Sequence, residues 1–330
     1  MTAACASRLQ GADMAFRRLG AGPLLTRTDL ALADPRFADP TSVFNPGALA
    51  VGGRVHLMLR VQSRGRETGL VMAASEDGLR FRIARELVAF AGLEQLGERV
   101  HHVYDPRLTT LAGRHYALLA LDLDERCELG LAVSEDLARW EFRGLVSAGG
   151  NRNGVLFPQR IGGRFLRLDR PNRLGVSGDE IWLSESDDLL AWRPLGAVAS
   201  GRPRSWDELI GAGPPPILTE AGWLLLYHGV ATHYGSVNIY QVGALLLDAE
   251  NPQRLLARTR RNLLEPREAW ELCGQVPNVV FPSGLVLAEQ GGTGPAPATA
   301  RVLLYYGAAD TCIGLAESSV GSLLAACRED

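Results

Sequence analysis

Arg54–Arg60 reads RVHLMLR, and four later stretches repeat its pattern: Arg114–Ala120 (RHYALLA), Arg164–Arg170 (RFLRLDR), Trp223–Gly229 (WLLLYHG) and Arg301–Gly307 (RVLLYYG). Each is a short apolar run of strand character, entered through a proline-containing segment and followed by another apolar run. The prolines are Pro46, Pro106, Pro158, Pro216 and Pro282, spaced 60, 52, 58 and 66 residues apart. The following runs are Gly69–Ser75, Leu129–Ser134, Glu180–Ser184, Tyr240–Asp248 and Ile313–Ser318. Three or four strands repeated at that spacing are the mark of radial blades. The expected fold is therefore all-β, a five-bladed β-propeller, with residues 1–330 forming one domain.

A ring of sheets has to hide its edges. The chain runs from Ile313–Ser318 into Val320–Cys327, which reads as helix rather than strand. An N-terminal segment is thus expected to supply the outer strand of the fifth blade. Residues 1–20, rich in Ala, Gly and Arg, read as a flexible lead-in or as that closing segment. Three blades carry Ser-x-Asp-x-x-x-aromatic, at Ser75–Phe81, Ser134–Trp140 and Ser186–Trp192. Asp there suits a hairpin turn and the aromatic suits packing between blades, so these carboxylates read as structural. Gly291–Pro297 (GGTGPAP) reads as a flexible loop that lengthens the last repeat.

Composition narrows the functional classes. The net charge of −3 gives no electrostatic reason to expect nucleic acid or an anionic membrane as partner. All 34 basic residues are Arg, which removes lysine Schiff-base chemistry and a P-loop. Cys5, Cys127, Cys273, Cys312 and Cys327 are scattered, without metal-ligand spacing, so no metal or cofactor is expected. Free thiols and the lack of a signal-like start point to the cytoplasm. A homo-oligomer is compatible with the sequence.

Polar residues at one phase of every repeat should converge on the propeller axis. At first-strand ends these are Asn45, Asp105-Pro106-Arg107 and Arg152-Asn153; at second-strand ends they are Arg60, Asp169-Arg170, Tyr227-His228 and Asp310. Placing such groups in apolar strands costs free energy unless they are paired or used. Each also has a plainer reading. Asp105 before Pro suits an Asx turn, Arg60 and Arg170 suit inter-blade ion pairs, His228 a core histidine, and Asp310 an arginine partner. Jointly they suit a pocket reading sugar hydroxyls, with Tyr104, Tyr227, Tyr234, Tyr240 and Tyr306 as available platforms.

At these residues the chain resembles glycoside hydrolase family 130, the β-mannoside phosphorylases and related hydrolases. The motifs run in order from Phe44-Asn45-Pro46-Gly47-Ala48 through Tyr104-Asp105-Pro106-Arg107, Val155-Leu156-Phe157-Pro158, Asp169-Arg170-Pro171 and Val276–Pro282 to Tyr305–Thr311. The resemblance implies inverting phosphorolysis of a β-mannoside to α-mannose 1-phosphate, with inorganic phosphate as co-substrate. It implies Asp105 as general acid, its proton relayed through a mannose hydroxyl. It further implies Arg152, Arg170, His228 and Tyr240 on phosphate, and Asn45, Arg60, Arg107 and Asp310 holding the mannosyl unit or ordering the acid. Asp169 departs from the family's usual His, with an expected change in charge beside Arg170.

An inverting hydrolase needs a second carboxylate to activate water, whereas a phosphorylase needs one acid and cations for its anionic nucleophile. One acid with two Arg and a His favours phosphorolysis; Asp310 and Glu67 are the possible bases for hydrolysis. A non-catalytic glycan-binding propeller is the third reading. Loops at Arg64–Thr68, His101–Val103 and Thr232–Asn238 would select the acceptor sugar, and Arg64-Gly65-Arg66 leans towards a mannosyl-glucose type.

Overall fold

The computed structural model describes residues 15–172, 179–232, 237–288 and 294–329. Five antiparallel sheets follow one another in chain order as the blades of a propeller. The first is Pro40–Val51, Arg54–Ser63, Thr68–Ser75 and Arg82–Leu87. The second is His102–Leu111, Arg114–Asp122, Cys127–Ser134 and Trp140–Leu145, with Phe90–Ala91 added parallel to its outer strand. The third is Asn151–Leu156, Phe165–Pro171, Glu180–Ser186 and Arg193–Ser200. In the fourth, the inner edge is split into Leu209–Ala212 and Ile217–Thr219, both pairing with Gly222–Ala231, before Ile239–Leu247 and Leu255–Arg258. The fifth is Val280–Leu287, Arg301–Ala308 and Cys312–Ser319.

The blade strands are apolar on both faces because each sheet is sandwiched between two others. Leu57, Met58 and Leu59 are all fully buried: Leu57 and Leu59 pack on the fifth blade, Met58 on the second. The alternation of side chains across a strand does this. Likewise Leu303 and Tyr305 face the first blade, while Val302, Leu304 and Tyr306 face the fourth. A separate apolar cluster fills each of the five interfaces, so the ring is closed by packing as well as by pairing.

Closure uses both ends of the described chain. Arg17–Arg18 pairs with Glu317 and Ala316 as the outer strand of the fifth blade, as the run-out into helix predicts. The Arg18 guanidinium donates to both oxygens of Glu271, at 2.8 and 2.7 Å, and the Tyr306 hydroxyl donates to the same carboxylate at 2.7 Å. Glu271 is fully buried, and an ionised carboxylate there is tolerable only with such partners. Val320–Arg328 is the expected helix. Ser319 caps it by accepting from the Ser322 amide, and Val320, Leu323 and Cys327 bury its inner face.

The three Ser-x-Asp turns are one structure used three times. Asp77 Oδ1 accepts from the amides of Leu79 and Arg80, Asp136 Oδ1 from Ala138 and Arg139, and Asp188 Oδ1 from Leu190 and Ala191. Their carboxyls sit below the ordinary value because backbone amides hold the charged form. The aromatics follow as expected, Phe81 meeting Tyr305 edge-on at 5.8 Å across the first and fifth blades. The first 14 residues, Tyr234 and part of Gly291–Pro297 lie outside the described residues.

Candidate active site

On three inner strands the ladder breaks at the same rung. Register shifts between Phe44 and Gly47, between Tyr104 and Arg107, and between Arg152 and Val155. The displaced residues are Asn45, Asp105 and Asn153, with φ of 46°, 49° and 53°. Asn and Asp tolerate the left-handed region better than other side-chain-bearing residues. The proline that follows the first two needs no ladder partner on an inner edge. A residue before proline is nevertheless pushed away from helical backbone, so the surrounding sheet holds Asn45 and Asp105 under strain. Such bulges re-aim side chains, and here all three enter one cavity of about 370 Å³ at the axis. On the neighbouring strands Arg60 lies opposite Phe44 and Arg170 opposite Arg152, one rung before the break in each case.

Asn45, Arg60, Asp105, Arg152, Arg170, His228, Tyr240 and Asp310 all line this cavity. Arg107 does not; it lies fully buried beneath the floor. Its Nε donates to the Gly213 carbonyl at 2.8 Å and its Nη1 to the Asp105 carbonyl at 3.3 Å, over the Phe281 ring. Arg107 thus binds the backbone of Asp105 from below and does not line the cavity. Burial brings its pKa down to about 10, with Asp105 opposing.

At one end of the cavity, Arg60 Nη1 donates to Asp105 Oδ1 at 2.9 Å, and Asn45 Nδ2 donates to the same oxygen at 3.0 Å. Arg60 lies between the Phe44 and Tyr104 rings, 4.5 Å from each centroid, which fixes its direction. Gly307 leaves the room Asn45 occupies, since a Cβ there would collide with Asn45 Oδ1. Asp310, also left-handed at φ 48°, completes this end. Burial and then the Asp105 charge push its carboxyl up to about 6, with Arg60 opposing.

The other end is cationic. Among the described residues no carboxylate lies within ion-pair distance of Arg170, and burial lowers its pKa. Arg152 has only a loose carboxylate neighbour, Asp122 at 3.8 Å. His228 is buried against Phe281 and held well below its ordinary pKa by burial, then by Arg170 and Arg107, so it is neutral. Gly211 makes its seat: a Cβ there would lie 2.7 Å from His228 Nε2 and 2.8 Å from Asn153 Oδ1. Six side-chain atoms around the cavity are buried without a partner: Asn45 Oδ1, Arg60 Nε, Arg152 Nε, Asn153 Oδ1, Arg170 Nε and His228 Nδ1. Buried polar atoms are normally satisfied, so their concentration here marks the place of a polar ligand.

Asp169 does not alter the charge beside Arg170. Side chains alternate along Phe165–Pro171, and Asp169 points to the opposite face, where Arg167 and Ser184 donate to it. Of the aromatics, Tyr104 and Tyr240 line the cavity, whereas the Tyr227 and Tyr306 hydroxyls are bound to buried Asp207 and Glu271. Glu67 is bound by the Ser63 hydroxyl and Arg64 by Asp39; neither they nor Arg66 line the cavity. Asn153, expected at the axis but given no individual role, and Asp122, not singled out in the sequence, are further lining residues. Asn153 shares the repeat phase of Asn45 and Asp105, but no proline follows to mark it.

The raised carboxyl of Asp310 makes stability depend on pH. The folded protein holds this proton up to about pH 6, the unfolded chain only to its ordinary value near 3.8. Stability is therefore full below pH 4 and is lost as pH rises through 6, with a ceiling of about 3 kcal/mol. Asn tolerates the same backbone, so Asp310→Asn should remove this fall without breaking the turn. Denaturant melts at pH 4 to 7 check it: equal slopes for both proteins would show that Asp310 does not titrate there.

Fold and site together define a carbohydrate-active propeller enzyme. Residues 16–329 match the family model described as beta-1,4-mannooligosaccharide phosphorylase, and the chain belongs to glycoside hydrolase family 130. It is 32% identical over 287 residues to the 1,2-beta-oligomannan phosphorylase of Thermoanaerobacter sp. (strain X514), covering 83% of this chain and 89% of the relative. It is 30% identical over 316 residues to the beta-1,4-mannooligosaccharide phosphorylase of Ruminococcus albus, covering 93% and 89%. The fold matches the beta-1,2-mannobiose phosphorylase of Listeria innocua with a TM-score of 0.83 at 24% identity, over 95% of this chain and 99% of that one. The family's phosphorylases take phosphate as co-substrate and need no cofactor. Among the described residues no cluster of His, Cys, Asp or Glu is placed to hold a metal, and no helix is long and apolar enough to cross a membrane.

Proposed function

We propose that this protein catalyses inverting phosphorolysis of a β-mannoside, giving α-mannose 1-phosphate and the freed acceptor sugar. The observation that carries the reading is the polarity of the cavity: a carboxylate held by Arg60 and Asn45 at one end, and an Arg without a carboxylate partner beside Arg152 and a neutral His at the other. Phosphate is already a nucleophile, so the protein has to bind and aim it rather than deprotonate it. Guanidinium forks match its oxygens, and the unpaired nitrogens of Arg152, Arg170 and His228 supply donors. Tyr240 keeps its hydroxyl proton because burial raises its pKa, and it adds a further donor.

In this reading phosphate attacks the anomeric carbon from the cationic end as the glycosidic bond breaks. The leaving oxygen takes up the proton of a mannose hydroxyl, and Asp105, protonated in that complex, replaces it and is left as the carboxylate. Asn45, Arg60 and Asp310 grip the mannosyl unit, and Arg107 holds the Asp105 backbone. Hydrolysis would instead need a base on the nucleophile's side. Asp310 shares Arg60 with the acid, and Glu67 is outside the cavity, so neither carboxylate favours that route.

The test is incubation with β-1,2- and β-1,4-mannobiose and mannosyl-glucose, with and without phosphate. Phosphate-dependent mannose 1-phosphate from at least one disaccharide is expected. Free mannose without phosphate would establish a hydrolase, and recovery of every disaccharide unchanged would leave a binding protein.

A further inference from the structure

Also lining the cavity is Asp122, the last residue of Arg114–Asp122, which the phosphorolysis reading leaves without a role. Its Oδ1 accepts a 2.7 Å hydrogen bond from the Tyr104 hydroxyl, and the same oxygen lies 3.8 Å from Arg152 Nη2. The Tyr104 hydroxyl also touches Cys127 Sγ at 3.4 Å, so its ring is pinned at the tip from two strands. That ring is one of the two plates holding Arg60, and Arg60 in turn binds Asp105.

One carboxylate oxygen thus reaches both working parts of the site: through Tyr104 and Arg60 it reaches the acid, and through Arg152 it reaches the anion end. The separation from Arg152 is too long for a hydrogen bond. It draws the guanidinium to the wall beside Cys127 without a hydrogen bond of its own, and Arg152 Nε is unpartnered.

We propose that Asp122 is a positioning residue, orienting Arg152 for phosphate and, through the Tyr104 hydroxyl, steadying the Arg60–Asp105 pair. The inference rests on the phosphorylase reading and adds a separable consequence: each arm can be cut alone. Asp122→Asn keeps an oxygen for the Tyr104 hydroxyl but loses the pull on Arg152. The arginine then spreads over its rotamers, and phosphate has to order it on binding. Loss of a negative charge near phosphate acts the other way, but Asp122 is about one-third exposed and screened by water. Tyr104→Phe keeps the Asp122–Arg152 attraction and releases the ring beneath Arg60.

Initial-rate kinetics with the best disaccharide, varying phosphate, tests this. Asp122→Asn should raise the phosphate KM by about three- to tenfold with a smaller fall in kcat. Tyr104→Phe should lower kcat by about three- to tenfold with a smaller change in phosphate KM, and Asp122→Ala should do both. Equal changes in both constants for the two conservative variants, a lowered phosphate KM in Asp122→Asn, or a loss of melting temperature with unaltered constants would each overturn the role. Wild-type turnover independent of phosphate would instead remove the phosphorylase reading, and the inference with it. Phosphate-dependent wild-type turnover without the split removes only the inference.

Discussion

Asp105→Asn should lower turnover by about 10²–10⁴-fold, the range expected for loss of a general acid, while leaving the fold intact. The substitution isolates the proton. Asn keeps the shape, keeps an oxygen for the Arg60 and Asn45 donors, and tolerates the left-handed backbone that residue 105 adopts at φ 49°. Alanine would confound the result by adding backbone strain and by leaving the partly buried Arg60 without its carboxylate. The KM for phosphate should change little, because the Asp105 side chain is bound by Arg60 and Asn45 and not by Arg152, Arg170 or His228. Substrates with an activated leaving group, such as an aryl β-mannoside, need less protonation and should recover much of the lost rate. An Asp105→Asn enzyme with more than about a tenth of wild-type turnover on the natural linkage would remove Asp105 from the mechanism.

The ring was legible in the sequence because its strands are buried on both faces. Arg54–Arg60 and its four echoes stand out as apolar runs, and each falls in a blade strand apart from Arg164, which precedes Phe165–Pro171; polar ends such as Gln62 and Asp122 carry the pairing on. The prolines at 46 and 106 marked the bulges that aim Asn45 and Asp105. Where that mark is missing, function was harder to read. Asn153 has glycine after it, and Asp122 lies two residues beyond the rung that holds Arg60 and Arg170 in the other blades. Orientation was also out of reach where two charged residues are adjacent. Whether Asp169 or Arg170 enters the cavity depends on which face of Phe165–Pro171 meets the axis, and only the ladder with Asn151–Leu156 settles it. The Phe90–Ala91 addition to the second blade has too few residues to show a period at all.

Arg170→Ala should raise the phosphate KM by about 10²-fold or more while stabilising the empty protein. Charge-assisted hydrogen bonds to an anion are worth about 1.5–3 kcal/mol each, and a guanidinium can offer two in parallel. In the ligand-free protein the balance is reversed. Arg170 is partly buried, has Nε without a partner, has no carboxylate within ion-pair distance among the described residues, and lies beside Arg152 on the paired strand. Its removal relieves desolvation and like-charge repulsion, so the melting temperature in phosphate-free buffer should hold or rise. Added phosphate should then stabilise the wild type by mass action and the variant hardly at all. Melting curves with and without phosphate, read beside the kinetics, separate the outcomes. A variant that loses stability in both buffers yet keeps its phosphate KM would make Arg170 a structural ion. A variant that gains stability and loses phosphate response shows a site whose strain in the empty state is relieved by the ligand it awaits.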